Sequence, residues 1–161
     1  MSAVTQSIEV GVPIRTAYNQ WTQFESFPLF LEAVRVVEQI DDTHSRWKAE
    51  LGGVHVAFEA VVTEQQPDRR IAWKTLEGDV DHVGAVTFQR LEDNRTLVTL
   101  SVEWEPHGAA QQAAAVLSYD ESQVRRDVQR FKQYIESRGV ETGSWRGTVP
   151  ASGRSGERTP G

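Results

Sequence analysis

Apolar and polar residues alternate at the start of the chain: Val4, Ile8 and Val10 fall on one side and Thr5, Ser7 and Glu9 on the other, a period of two that predicts a strand. Gly11 closes it. Pro13 suits a first helical turn, where its missing N–H would have had no partner anyway. Ala17, Tyr18, Trp21 and Phe24 then recur at spacings of three and four, which predicts a short amphipathic helix. A second, packed helical piece is expected over 27–31, with Pro28 in its first turn and Ser26 as its cap.

From Val34 the period returns to two and turn chemistry punctuates the chain at Asp41-Asp42-Thr43, Gly52-Gly53, Gln66-Pro67-Asp68, Gly78-Asp79 and Asp93-Asn94. Gly52-Gly53 is the sharpest break, because tight hairpins need positive φ angles. The runs between carry one apolar face: Trp47, Ala49 and Leu51; Val54, Val56, Phe58, Ala60 and Val62; Ile71 and Trp73; Val86 and Phe88; Val98, Leu100, Val102 and Trp104. With the first strand they make a curved antiparallel sheet of about seven strands, one face wet and one covered. A long helix over about 110–138 is the expected cover, since Leu117, Val124, Val128, Phe131 and Ile135 form a stripe and Gly139 supplies a stop. The fold class is therefore α+β. Residues 1–138 form the domain, and 139–161, rich in Gly, Ser, Thr, Arg and Pro, read as a disordered tail in which Trp145 is the one candidate to tack back onto it.

Composition narrows the chemistry. The chain of 161 residues suffices for one core, and its net charge of −6 opposes a phosphate-tracking surface, so no nucleic-acid partner is expected. Without cysteine there is neither a disulfide framework nor a thiolate metal site, and a reducing cytoplasm is the natural compartment. No run approaches the ~20 apolar residues of a membrane span, so no integral membrane segment is expected. His44, His55, His82 and His107 are scattered without ligand spacing and read as surface histidines; no metal and no cofactor is expected. Asp79 and Asp81 beside His82 suit either an acid and base at a pocket mouth or a solvated hairpin tip, and Tyr119 and Tyr134 suit either ligand hydroxyls or residues straddling core and water.

The stretches Val12-Pro13-Ile14-Arg15-Thr16-Ala17-Tyr18, Phe27-Pro28-Leu29-Phe30-Leu31, Phe58-Glu59-Ala60-Val61-Val62-Thr63-Glu64, Pro67-Asp68-Arg69-Arg70-Ile71-Ala72-Trp73 and Phe131-Lys132-Gln133-Tyr134-Ile135 carry a resemblance to a known family. With the element order, they resemble the START-like (SRPBCC) superfamily, in its bacterial polyketide cyclase/dehydrase-like or coenzyme Q-binding-like branch. The resemblance implies a helix-grip fold, with the sheet wrapped around the last helix and a cavity between them. Trp47, Phe58, Trp73, Phe88 and Trp104 on the sheet and Val124, Val128 and Phe131 on the helix would then line a site for a small hydrophobic molecule: a polyketide, a quinone or an isoprenoid. Plain core packing is the alternative reading of the same rings. An active polyketide cyclase/dehydratase is the alternative function and a protein-interaction module the third. Aromatase/cyclase members resemble one another in an arginine directly after a Ser/Thr-Glu pair; here Thr63-Glu64 is followed by Gln65, a poorer partner for developing negative charge. Oligomeric state is left open.

Overall fold

The computed structural model describes residues 4–106, 116 and 119–150. Seven strands form one sheet: β1 (Val4–Val10), β2 (Val34–Gln39), β3 (His44–Leu51), β4 (Val54–Gln66), β5 (Arg70–Gly78), β6 (Val80–Glu92) and β7 (Arg95–Pro106). Their spatial order is β1-β7-β6-β5-β4-β3-β2, so β2 to β7 are a meander and the first strand pairs with the last. Every pairing is antiparallel. Gly52 and Gly53 both take positive φ, 54° and 85°, as the tight β3–β4 hairpin requires. Two bulges interrupt the β4–β5 register, at Glu59/Ala60 and at Val62/Glu64. The second shifts the phase of β4, so that after Val56, Phe58, Ala60 and Val62 the next buried residue is Gln65 rather than Glu64.

The inward face of the sheet is covered by α1 (Ile14–Trp21), a 3-10 helix (Phe24–Leu29) and α2 (Glu121–Arg138). The second helical piece thus starts earlier than expected and is wound more tightly. Pro28 lies inside it, and Ser26 is not its cap but donates from Oγ to the Gln23 carbonyl at 2.6 Å. The described part of the last helix begins at Glu121, because Asp120 adopts extended backbone and its side chain accepts from Gln123 N. The expected helical start near 110 and Leu117 lie outside the described residues. Gly139, at φ 76°, ends α2 as anticipated. Val124, Val128, Phe131 and Ile135 face the core, and Lys132 and Glu136 clamp the β1 end by bonds to the Glu9 carbonyl and the Gly11 N–H.

The C-terminal segment departs from the sequence expectation. Residues 140–150 form a strap across α1 and the end of β4 instead of leaving the domain. Asn19 and Gln20, buried on α1, bond Glu141 and Thr142; Trp145 N donates to Thr22 Oγ1 at 3.0 Å; Gln65 and Val149 exchange both backbone bonds as an isolated bridge. Arg146 reaches Asn19 Oδ1 at 2.7 Å and Asp68 at 2.9 Å, with its guanidinium 5.3 Å from the centre of the Tyr18 ring. Buried amides must find partners, and here the strap supplies them.

Candidate functional site

The pleat puts Trp47, Phe58, Trp73 and Trp104 on the inward face of neighbouring strands, where they form one aromatic layer. Trp47 stacks on Phe58 at 5.4 Å and on Trp73 at 6.1 Å, and Phe58 meets Trp104 edge-on at 5.8 Å. The 3-10 helix drives two further rings into the layer: Phe27 contacts Trp47 and Trp73, and Phe24 stacks on Phe27 at 4.7 Å while touching the same two indoles. Phe88 stands apart, against Tyr18 at 5.4 Å. Phe131 joins Trp21 and Phe30 in a second cluster, and Val124 and Val128 are buried on the same helix face. The sheet and helix residues expected to line one space are all interior and belong to one core, in which Phe27 links the sheet rings to the Phe131 cluster through Trp21 and Phe30.

At the centre of the aromatic layer lies His82, which corrects its reading as a surface residue: it is 3% exposed. Its Nε2 accepts from Trp73 Nε1 at 3.0 Å, and its ring lies 4.0 Å from that of Trp104. Burial pushes its pKa down to about 3, opposed by the Glu103 backbone carbonyl, so the ring is neutral at physiological pH. The missed signal was phase. Val80, His82, Gly84, Val86 and Phe88 alternate along β6, and His82 falls on the inward set. Gly84 in that set is obligatory, since a Cβ there would stand 2.4 Å from the Trp73 ring. Among the described residues, Trp104 Nε1 and His82 Nδ1 are buried and make no well-formed hydrogen bond, with the Tyr119 hydroxyl and the Glu103 backbone as the polar groups that bear on them. Of the other histidines, His44 contacts Asp41 at 3.0 Å on the surface, His55 is exposed, and His107 is outside the described residues.

A polar mouth adjoins the layer at the start of α2. Tyr119 meets Trp104 at 5.7 Å and donates to Asp127 Oδ2 at 3.1 Å. Asp127 is wholly buried and also accepts from Glu32 N and Gln123 Nε2. Desolvation raises its pKa to about 6 against the pull of these donors and of Arg130. Burial also raises the Tyr119 phenol, and the Asp127 carboxylate raises it further. A recess of about 210 Å³ opens here, lined in part by Glu32, Arg35, Glu50, Gly53, Tyr119 and Gln123. Asp127 was not singled out from the sequence, although its place between Val124 and Phe131 puts it on the apolar stripe of the helix, where a carboxylate is out of character.

The remaining candidates separate from this site. Asp79 accepts from Ala57 N at 2.9 Å at the exposed β5–β6 turn, and Asp81 is likewise exposed. Arg70 pairs with Glu64 at 2.9 Å and Arg69 is exposed. Gln65 is interior and donates to the Trp145 carbonyl at 3.1 Å. Tyr134 packs on Phe30 at 5.7 Å with Arg138 over its ring. Among the described residues no helix is long and apolar enough to cross a membrane.

Comparison with known proteins agrees with this architecture. The chain is 48% identical over 149 residues to an uncharacterized 17.2 kDa protein from the melC2-rnhH intergenic region of Streptomyces lincolnensis, covering 92% of this chain and 99% of that one. A Deinococcus radiodurans crystal structure superposes with a TM-score of 0.70 at 27% identity, over 86% of this chain and 99% of that chain. The Zhui aromatase/cyclase of Streptomyces sp. R1128 shares the fold, with a TM-score of 0.67 at 15% identity over 86% and 93% of the two chains. Residues 10–138 match the family described as polyketide cyclase / dehydrase and lipid transport. That match, over most of the seven-stranded sheet and α2, places the chain in the polyketide cyclase / dehydrase and lipid transport family.

Proposed function

We propose that the protein binds a small hydrophobic molecule, of polyketide, quinone or isoprenoid type, between the sheet and α2. The observation that carries this reading is the aromatic layer itself: Trp47, Phe58, Trp73 and Trp104 offer stacking faces to a flat apolar ligand. Binding requires the rings to part, and the Phe24 and Phe27 side chains, held on a short 3-10 helix, are the ones whose displacement would make room. The test is native mass spectrometry of protein purified from its own host, with extraction of whatever is bound. A stoichiometric apolar ligand is expected. An empty protein that also fails to bind the neutral dye Nile red would overturn the reading.

One observation favours catalysis as a second reading. Asp127, with its pKa near 6, can take or give a proton near neutrality, as dehydration of a β-hydroxy ketone requires, while the Tyr119 phenol 3.1 Å away stays protonated as its hydrogen-bond donor. Turnover of an aldol-type substrate, lost in Asp127→Asn, would support it; turnover that persists in that variant would count against it.

A further inference from the structure

The strap bounds a recess of about 370 Å³ at the end of the molecule away from Tyr119, walled by Trp145 of the strap, Phe24 and Glu25 of the 3-10 helix, Asp41 and Asp42 of the β2–β3 turn, and Gln65 of β4. Two properties distinguish it. Phe24 belongs both to this wall and to the aromatic layer, where it stacks on Phe27 and meets Trp47 and Trp73, so its ring stands between the recess and the layer. Among the described residues that line it, every charged side chain is acidic.

The alternative mouth at Tyr119 is smaller, about 210 Å³, and its ring is tied to Asp127 by a hydrogen bond, whereas the Phe24 ring has only its packing to hold it. The wall beside Phe24 is also held differently. The strap reaches the Asn19–Thr22 stretch of α1, just ahead of the 3-10 helix, through polar contacts: Glu141 with Asn19, Thr142 with Gln20, Trp145 N with Thr22, and Arg146 with Asn19 and Asp68. Such contacts exchange for water at little net cost, so segments held by them open far below the free energy of global unfolding.

We propose that the recess beneath the strap, and not the one at Tyr119, is the doorway to the aromatic layer, with Phe24 as its leaf and Trp145 as its jamb, and that its acidic rim admits uncharged or cationic apolar molecules in preference to anionic ones. The proposal rests on the ligand-binding reading above and adds the route and the charge class. Opening moves Phe24 off Phe27 while α2 stays in place. The rate of access is then set by how often the strap yields, and affinity by the layer behind it.

The test is stopped-flow association of the neutral dye Nile red and the anionic dye 8-anilinonaphthalene-1-sulfonate with the full-length protein and two charge reversals, Asp42→Lys at this rim and Glu50→Lys at the other mouth. Asp42→Lys is expected to speed the anionic dye about threefold or more at low salt, with Nile red unchanged and the gain lost at high salt. Glu50→Lys is expected to change neither rate. A response to Glu50→Lys, or none to either substitution, overturns the doorway; a wild-type protein that binds neither dye removes the ligand-binding reading as well. Arg146→Gln in the full-length chain, which frees the strap from Asn19 and Asp68 but keeps its other bonds, should raise the Nile red association rate about threefold; an unchanged rate also overturns the proposal.

Discussion

The aromatic layer and the strap are both packed onto the same sheet, and they are held by opposite means. In the layer, Trp47, Phe58, Trp73 and Trp104 surround a neutral histidine; Trp73 donates to His82 and Trp47 to Ser45, and ring contact does most of the rest. In the strap, amides and carboxylates of residues 140–150 answer buried amides of α1 and β4, and the half-exposed Trp145 is the strap's own ring. Apolar burial is large and non-directional, while a hydrogen bond nets about 1 kcal/mol and costs more when it is left unmade. The layer should therefore resist solvent and fail all at once. The strap should come away piece by piece, each loss registering as an orphaned amide.

The widest contrast comes from deleting a ring. Trp73→Ala removes an indole that touches Trp47, Phe24 and Phe27 and orphans the His82 acceptor, and should cost about 4–6 kcal/mol in urea denaturation. A cost of about 1 kcal/mol would mean that the ring faces open space and that the layer is already a cavity.

The next effect is in pH. His82 has its folded pKa lowered to about 3, so the unfolded chain binds more protons between about pH 3 and the ordinary histidine value. It therefore removes stability as pH falls through that window. Asp127 has its folded pKa raised to about 6, so the folded chain binds more protons between the ordinary aspartate value and about pH 6, and it removes stability as pH rises there. Over roughly pH 4–6 the two slopes, each about 1.4 kcal/mol per pH unit, oppose one another. Relative to wild type, Asp127→Asn should gain stability with rising pH over that range, and His82→Gln should lose it. Denaturant midpoints at several pH values check both; parallel profiles for the three proteins would disprove the opposition.

Smaller still is the strap. Gln65→Leu leaves the Trp145 carbonyl without its donor but keeps the backbone bridge to Val149, and should cost about 1–2 kcal/mol with hydrogen-exchange protection lost first in residues 140–150. Loss of protection throughout the sheet instead would mean that strap and layer are one cooperative unit. Least of all, Asp120→Ala removes the α2 cap and should cost about 1 kcal/mol by the same denaturation.

What could be read from the sequence followed the same division. Alternation along β3, β4 and β7 announced the inward Trp47, Phe58 and Trp104, because a sheet with one wet face writes its geometry into every second residue. His82 obeyed that alternation and was overlooked because its chemistry suggested the surface. Gln65 could not be placed, since the bulge at Val62/Glu64 that turns it inward leaves no mark in composition. The strap was hidden by its polarity: a segment rich in Gly, Ser and Arg reads as disorder when its partners are buried amides rather than a groove of side chains. Trp145 and Val149, isolated apolar residues in that segment, were its visible trace. The expected single-wall site was half legible, for burial of each ring was readable but which rings touch, Phe88 against Tyr18 and Phe131 reaching the layer only by way of Trp21, Phe30 and Phe27, is a matter of tertiary neighbours.

The pairing of β1 with β7 sets an order in time. Val4 lies opposite Val102, so the strand made first on the ribosome has no neighbour until the last strand of the meander has emerged. The β2–β7 meander can zip hairpin by hairpin, but the open side of β7 stays a bare edge until β1 returns across nearly a hundred residues, and the clamp from Lys132 and Glu136 onto Glu9 and Gly11 can close only afterwards. Closure over so long a loop is slow, on the order of milliseconds to seconds for sheets dominated by non-local pairing. During that interval β7 offers its unpaired edge to any other strand in reach, which makes nascent chains, rather than the finished protein, the form most exposed to aggregation.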